Sequence, residues 1–132
     1  MGVVIQNPSG GSVSFDSANM ANDYTLTLPG SVGTLTDGAT ITPDFKTNTT
    51  FTVTLGGNRT MANPTDPIAG QTGSIFIVQD ATGSRTLSWG SYWDFIGGAA
   101  PSLTTSANAV DRVDYIVRSA TSIQAVFTAN YS

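Results

Sequence analysis

Phe51-Thr52-Val53-Thr54-Leu55 decides the fold class. Apolar and hydroxyl side chains alternate along it with a period of two. Residues i and i+2 of a strand share one face, so the segment reads as a half-buried β-strand. Tyr24-Thr25-Leu26-Thr27-Leu28 repeats the pattern. Gly73–Gln79 is a continuous apolar run of strand length, expected to be covered on both faces. The turn cluster Asp80–Arg85 and the segment Thr86–Trp89 then read as the return of a β-hairpin. Val113–Val117 and Ile123–Phe127 flank the polar turn Arg118–Ser122 and predict a second hairpin. Shorter strands are expected at Val3–Gln6, Ser12–Phe15 and Thr34–Thr36. The only helical signal, Ser106–Arg112, lacks a sustained 3.6 period and predicts a short turn or 3₁₀ element. Alternating strands end in glycine at Gly30, Gly57 and Gly90, but their unequal spacing argues for recurring turn chemistry and against a solenoid repeat.

Composition narrows the function. The chain has 132 residues, enough for one domain with its own core. It contains no cysteine and no histidine, and all nine acidic residues are aspartates. Disulfides, thiolate sites, the commonest general base and the commonest metal ligand are therefore absent from the sequence. Charged residues make up 11%, against about 25% in ordinary soluble domains. The net charge is −4, and Lys46, Arg59, Arg85, Arg112 and Arg118 are scattered singly. A nucleic-acid binder needs a cationic face, so neither nucleic acid nor an anionic membrane is an expected partner. The start of the chain has no basic segment followed by an apolar signal core, which predicts a protein made soluble in a cytoplasm and not exported by a signal.

No arrangement of residues predicts catalysis, and the chain is expected not to be an enzyme. Asp111 and Asp114 lie three apart and would converge only on a helical turn; the plainer reading has Asp111 ending a turn and Asp114 facing solvent beside Arg112. Asp16–Asp23 is rich in oxygen ligands but lacks the glycine and terminal Glu of a calcium loop, so no metal and no cofactor is expected. Gly56-Gly57-Asn58-Arg59 matches no phosphate-binding fingerprint and reads as a turn. Trp89, Tyr92, Trp93 and Phe95 cluster within seven residues. Trp89 ends an alternating strand and belongs to the core. Tyr92 and Trp93 are candidate exposed contacts, able to stack on a sugar or anchor a partner.

Residues 1–42 hold short strands with few large apolar side chains, whereas residues 43–132 hold both tryptophans and the longest strands. The expected architecture is all-β: an extended N-terminal arm with short strands over 1–42, then an antiparallel β-sandwich or jelly-roll-like domain over 43–132. An arm that cannot close its own core needs a partner for its edges. Val3, Val4, Ile5 and Phe15 are its candidate contacts, with Leu26 and Leu28 in the arm or in an oligomer core.

A series of phrases in the second region resembles a module of tailed-bacteriophage virion proteins. They run from Phe51 to Pro64, then Gly70-Gln71-Thr72-Gly73 and Gln79–Gly90, then Ala100–Leu103 and Asn108–Asp111, and cover about residues 45–130. Gly11–Phe15, Asn22–Pro29 and Gly33–Thr36 are similar to β-rich segments of phage tail fibres. The resemblance implies a virion structural protein, a homotrimer, with no catalytic residues to carry over. The shortness of a chain beginning at Met1, without docking domain or shaft, points to a capsid decoration (cement) protein that binds the major capsid protein, or another virion protein, on the outer capsid surface. The alternative is a short tail-fibre or fibre-tip protein that binds a host glycan.

Overall fold

A computed structural model describes residues 32–131 and, further upstream, the backbone of two strands, β1 (Val13–Phe15) and β2 (Tyr24–Leu26). The chain divides into two compact units, 1–30 and 31–132. In the first unit β1 and β2 pair antiparallel, Val13 opposite Leu26 and Phe15 opposite Tyr24. The expected contacts Val3, Val4, Ile5 and Leu28, the strand Val3–Gln6 and the Asp16–Asp23 stretch lie outside the described residues.

The second unit is built of strands, with a single 3₁₀ turn at Ile96–Gly98 among the described residues. Its strands are β3 (Gly33–Thr34), β4 (Thr40–Ile41), β5 (Thr50–Leu55), β6 (Arg59–Met61), β7 (Thr72–Gln79), β8 (Leu87–Trp89), β9 (Trp93–Phe95), β10 (Val110–Ser119) and β11 (Ser122–Thr128). They form a six-stranded sheet in the order β3-β5-β7-β10-β11-β9 and a three-stranded sheet in the order β4-β6-β8. The all-β expectation holds; the antiparallel one does not. β3, β5 and β7 run parallel, as do β4, β6 and β8, and β9 lies parallel to β11. The chain switches sheets after each strand from β3 to β8, so it winds through three parallel turns before β10 and β11 close it with an antiparallel hairpin. Unequal turn lengths hide this winding from a search for a fixed period.

The hairpin expected around Asp80–Arg85 is a corner between the two sheets. β7 does not pair with β8; β8 continues the small sheet beside β6. Gln79 explains the redirection. It is 2% exposed, and its amide donates to the Arg85 carbonyl at 2.9 Å while its Oε1 accepts from the Arg85 N–H at 2.8 Å. The side chain thus supplies the bonds that a facing strand would otherwise make. Gly83 and Ser84, at φ 74° and 59°, turn the chain away. The corners also bond to one another. Asp37 accepts from Arg59 Nε and Nη2, both at 2.8 Å, and from the Gly56 N–H at 3.2 Å. Asn58 accepts from the Thr86 N–H at 3.1 Å, and Asn63 accepts from the Tyr92 N–H at 2.8 Å.

Burial follows the alternation read in the sequence. Phe51, Val53 and Leu55 of β5 point inward, with Ile75 and Ile77 of β7 and Val113, Tyr115 and Val117 of β10. Ile41, Met61 and Leu87 from the small sheet join the same cluster, so the two sheets share one core. β7 is covered on one face only; Phe76 and Val78 on the other are half-buried. Ser106–Asn108 forms the expected turn, with the Ala109 N–H donating to the Ser106 carbonyl at 3.2 Å and Asn108 at φ 60°.

Two predictions follow from this packing. A Cβ on Gly73 would collide with the Thr49 carbonyl oxygen and come within 2.5 Å of the Tyr115 hydroxyl, which donates to that carbonyl at 2.6 Å. Gly73→Ala should therefore destabilise the protein by about 1–3 kcal/mol, read as a lowered midpoint of denaturant unfolding. Acid should also weaken the fold. The hydrogen bond from Arg59 holds the Asp37 carboxyl below the usual carboxylate range, and that from Arg85 does the same for Asp80. A lowered folded-state pKa gives stability that is complete above the ordinary carboxylate value and is lost as pH falls through the lowered one. The melting temperature should drop between about pH 5 and pH 2. In an Asp37→Asn, Asp80→Asn double variant that drop should be shallower.

Candidate functional site

Strand geometry separates the two aspartates that proximity in sequence brings together. Asp111 and Asp114 lie on β10, where an i, i+3 pair points to opposite faces. Asp111 is 1% exposed and faces inward. Its carboxylate accepts from the Thr104 N–H at 2.8 Å, the Thr104 hydroxyl at 2.7 Å and the Asn130 N–H at 2.8 Å. It straps the 99–105 loop and the end of the chain to the sheet. Asp114 faces outward, accepts from Ser74 Oγ at 2.5 Å and pairs with Arg112 Nε at 3.0 Å. Every oxygen contact of the pair is structural. Among the described residues no three acidic, histidine or cysteine side chains are grouped so as to hold a metal. No described helix is long and apolar enough to cross a membrane.

The aromatic cluster is core. Trp93 was expected among the exposed contacts, yet it is 6% exposed, and its indole donates to the Ala62 carbonyl at 3.0 Å. Alternation on β9 turns Trp93 inward and Asp94 outward. Its ring meets Trp89 edge-on at 5.1 Å and Tyr115 at 6.1 Å, and Phe45 stacks on Tyr115 at 4.7 Å. Tyr92 is half-buried against the same cluster, as is Trp89, whose indole N–H is buried without an acceptor.

What the unit exposes is the outer face of β9, β10 and β11. Asp114, Ile116 and Arg118 of β10 face outward, with Gln124 and Val126 of β11 and Asp94 of β9. Register sets Asp114 beside Val126, and Ile116 beside Gln124, which is itself beside Asp94. Ile116 and Val126 are 46% and 50% exposed, although both are large and apolar. Next to them, the 3₁₀ turn lifts Ile96 to 82% exposure, followed by Gly97 and Gly98 at φ 75° and 73° and by exposed Ala99 and Ala100. Asp94, Ile96, Asp114, Ile116, Gln124 and Val126 border a shallow hollow of about 530 Å³. At the far end of β10, Tyr131 lies over Arg112, with the guanidinium carbon 4.8 Å from the ring centroid. Its N–H donates to the Val110 carbonyl at 2.7 Å. Tyr131 is 49% exposed and is the only large aromatic in that state among the described residues. Sequence reading missed Ile96, Ile116, Val126 and Tyr131. The alternation of β10 and β11 carries Ile116 and Val126 outward, but only the knowledge that no described element of the second unit covers that face makes them conspicuous.

Fold and surface together define a β-structural module in which Asp111 is a buried strap and Asp114 an outward ion-pair partner. A family model described as "Putative phage tail fibre C-terminal domain" matches residues 41–122, more than half of the chain, and the chain belongs to that family. It is a β-rich structural module of a bacteriophage virion. The matched stretch runs from β4 to the start of β11 and so takes in strands of both sheets of the second unit. No curated protein and no solved structure matches the chain significantly.

Trp93→Ala, which would test an exposed contact, should instead empty the core. A loss of about 3–5 kcal/mol is expected for a buried aromatic, measurable by urea unfolding. Asp111→Asn should cost about 1–3 kcal/mol by placing an amide donor against backbone donors, and should speed amide exchange at Asn130.

Proposed function

We propose that this chain is a tail-fibre module that works as a homotrimer at the part of the fibre that meets the host surface, where it contacts a glycan. The observation that carries this reading is the match to a tail-fibre family across residues 41–122. The capsid-decoration reading rested on chain length and has no comparable finding behind it, so attachment to the major capsid protein gives way to attachment within a fibre. The module acts without catalysis, by adhesion and by its own rigidity.

The ring suited to a sugar is Tyr131 rather than Trp93. A sugar stacks on an open aromatic face, and Tyr131 offers one while Arg112 covers the other. Arg112 is in turn tied to Asp114, which fixes the guanidinium under the ring. Tyr131 sits on a chain end held by the Asp111 and Val110 bonds, so little conformational entropy is lost on binding.

Light scattering should give a mass of three chains. The labelled protein should pellet with host cells and not with undecorated capsid shells. Tyr131→Ala should cut the cell-bound fraction several-fold while leaving mass and melting temperature near those of the parent. Pelleting with shells alone would return the decoration reading.

A further inference from the structure

We propose that the outer face of β9–β11, together with the Ile96 turn, is the surface on which a second copy of this chain packs. The inference rests on the self-association in the reading above and adds where it occurs. Three of the large apolar side chains exposed among the described residues converge here: Ile96, Ile116 and Val126. Ile96 also borders a second, smaller apolar recess of about 180 Å³ with Ala99, Pro101 and Phe127. The segment Ile96-Gly97-Gly98-Ala99-Ala100 is exposed throughout and carries no charge or hydrogen-bonding side chain. An aliphatic knob beside an aliphatic hollow needs cover from water, and a surface holding both can supply each to another copy of itself.

Charge selects the occupant. Arg59, Arg85 and Arg112 are engaged within the chain, by Asp37, Asp80 and Asp114. Arg118 forms no intrachain ion pair among the described residues, although it is exposed on the β10 face that carries Ile116. Asp94 stands at the same end of the face, next to Gln124, with one carboxylate oxygen accepting from Ser122 Oγ at 2.6 Å and no cation of the described residues paired with it. Among the described residues the patch therefore carries a cation and an anion without ion-pair partners around an apolar centre, so that around a three-fold axis Arg118 of one copy can face Asp94 of the next. A sugar has no open ring to stack on here: of the two aromatics that line the hollow, Tyr115 is buried and Phe95 is half-buried against the core, and the exposed apolar lining is Ile96, Ile116 and Val126. The Tyr131 end, by contrast, lies at the other end of β10 and stays open.

The test is absolute mass by light scattering, across a hundredfold range of concentration, on the full chain and its variants. Ile116→Asp with Val126→Asp should reduce the mass to one chain, with far-ultraviolet circular dichroism unchanged. Ile96→Asp changes a side chain that is 82% exposed and cannot empty the core; it should weaken association at least tenfold. Arg118→Asp and Asp94→Arg should each weaken association, and together should restore it. Apolar-face variants that keep the parental mass, with the parent oligomeric, would overturn this surface and leave self-association standing. A parent that is monomeric at every concentration would overturn both. Dissociation by the aspartate variants without rescue in the charge swap would overturn the pairing of Arg118 with Asp94.

Discussion

The rest of the structure depends on β7. On one side it pairs parallel with β5, and on the other antiparallel with β10, so it is the seam between the winding part of the chain and the closing hairpin. Both pairings need a fully extended strand with Ile75 and Ile77 turned inward, where both are essentially inaccessible. Gly73 opens this strand by leaving space for the Tyr115 hydroxyl to reach the Thr49 carbonyl. Gln79 ends it by bonding the backbone of Arg85 and sending the chain into the small sheet. A buried amide is costly unless satisfied, and here both of its ends are used. One strand therefore couples the parallel order of three windings to the antiparallel hairpin, and both sheets inherit their spacing from it.

Strand existence was legible in the sequence and strand partnership was not. The alternation of Phe51–Leu55, the apolar run of Gly73–Gln79 and the pair of segments around Arg118–Ser122 each became a strand; Phe51–Leu55 kept its expected inward face, while Gly73–Gln79, expected to be covered on both faces, is covered on one. The failure at Asp80–Arg85 has a specific cause. Gly83 and Asp80 supply the same turn chemistry to a hairpin and to a corner, because both need a positive φ and a capped backbone. The deciding contact is that of the Gln79 side chain, and it depends on the small sheet being there to receive β8. Likewise the i, i+3 spacing of Asp111 and Asp114 carries meaning only after the local period is known. On a helix the two carboxylates would converge; on β10 one becomes a buried strap and the other an exposed ion-pair partner.

The aromatic cluster shows the same limit for a binding site. Adjacent aromatics on a strand point to opposite faces, so of Trp93 and its neighbours only some can be core. The register of β9 against β11, Trp93 beside Ile123, settles it for Trp93. A candidate site chosen by residue type selected the rings, and the fold had already used them for the core. The side chains left over for contact are aliphatic, and single isoleucines or valines in a strand carry no sequence signal of exposure.

The large sheet's outer face is divided along its width. On the β3 and β5 side it presents Thr34, Thr50, Thr52 and Thr54, β-branched residues that suit a strand while their hydroxyls stay hydrated. On the β9–β11 side the same outward positions carry Ile116 and Val126, flanked by Ile96. Both halves have comparable strand propensity, so local structure does not require the difference. Hydration does distinguish them: threonine leaves the face soluble, while isoleucine and valine make it favourable to cover, by about 25 cal/mol for each Å² removed from water. A chain with only 11% charged residues has few other ways to direct association. Within this face the exposed aliphatic side chains are confined to one end, with Val32 and Ile68 exposed elsewhere. The threonine half and Tyr131 stay open to solvent.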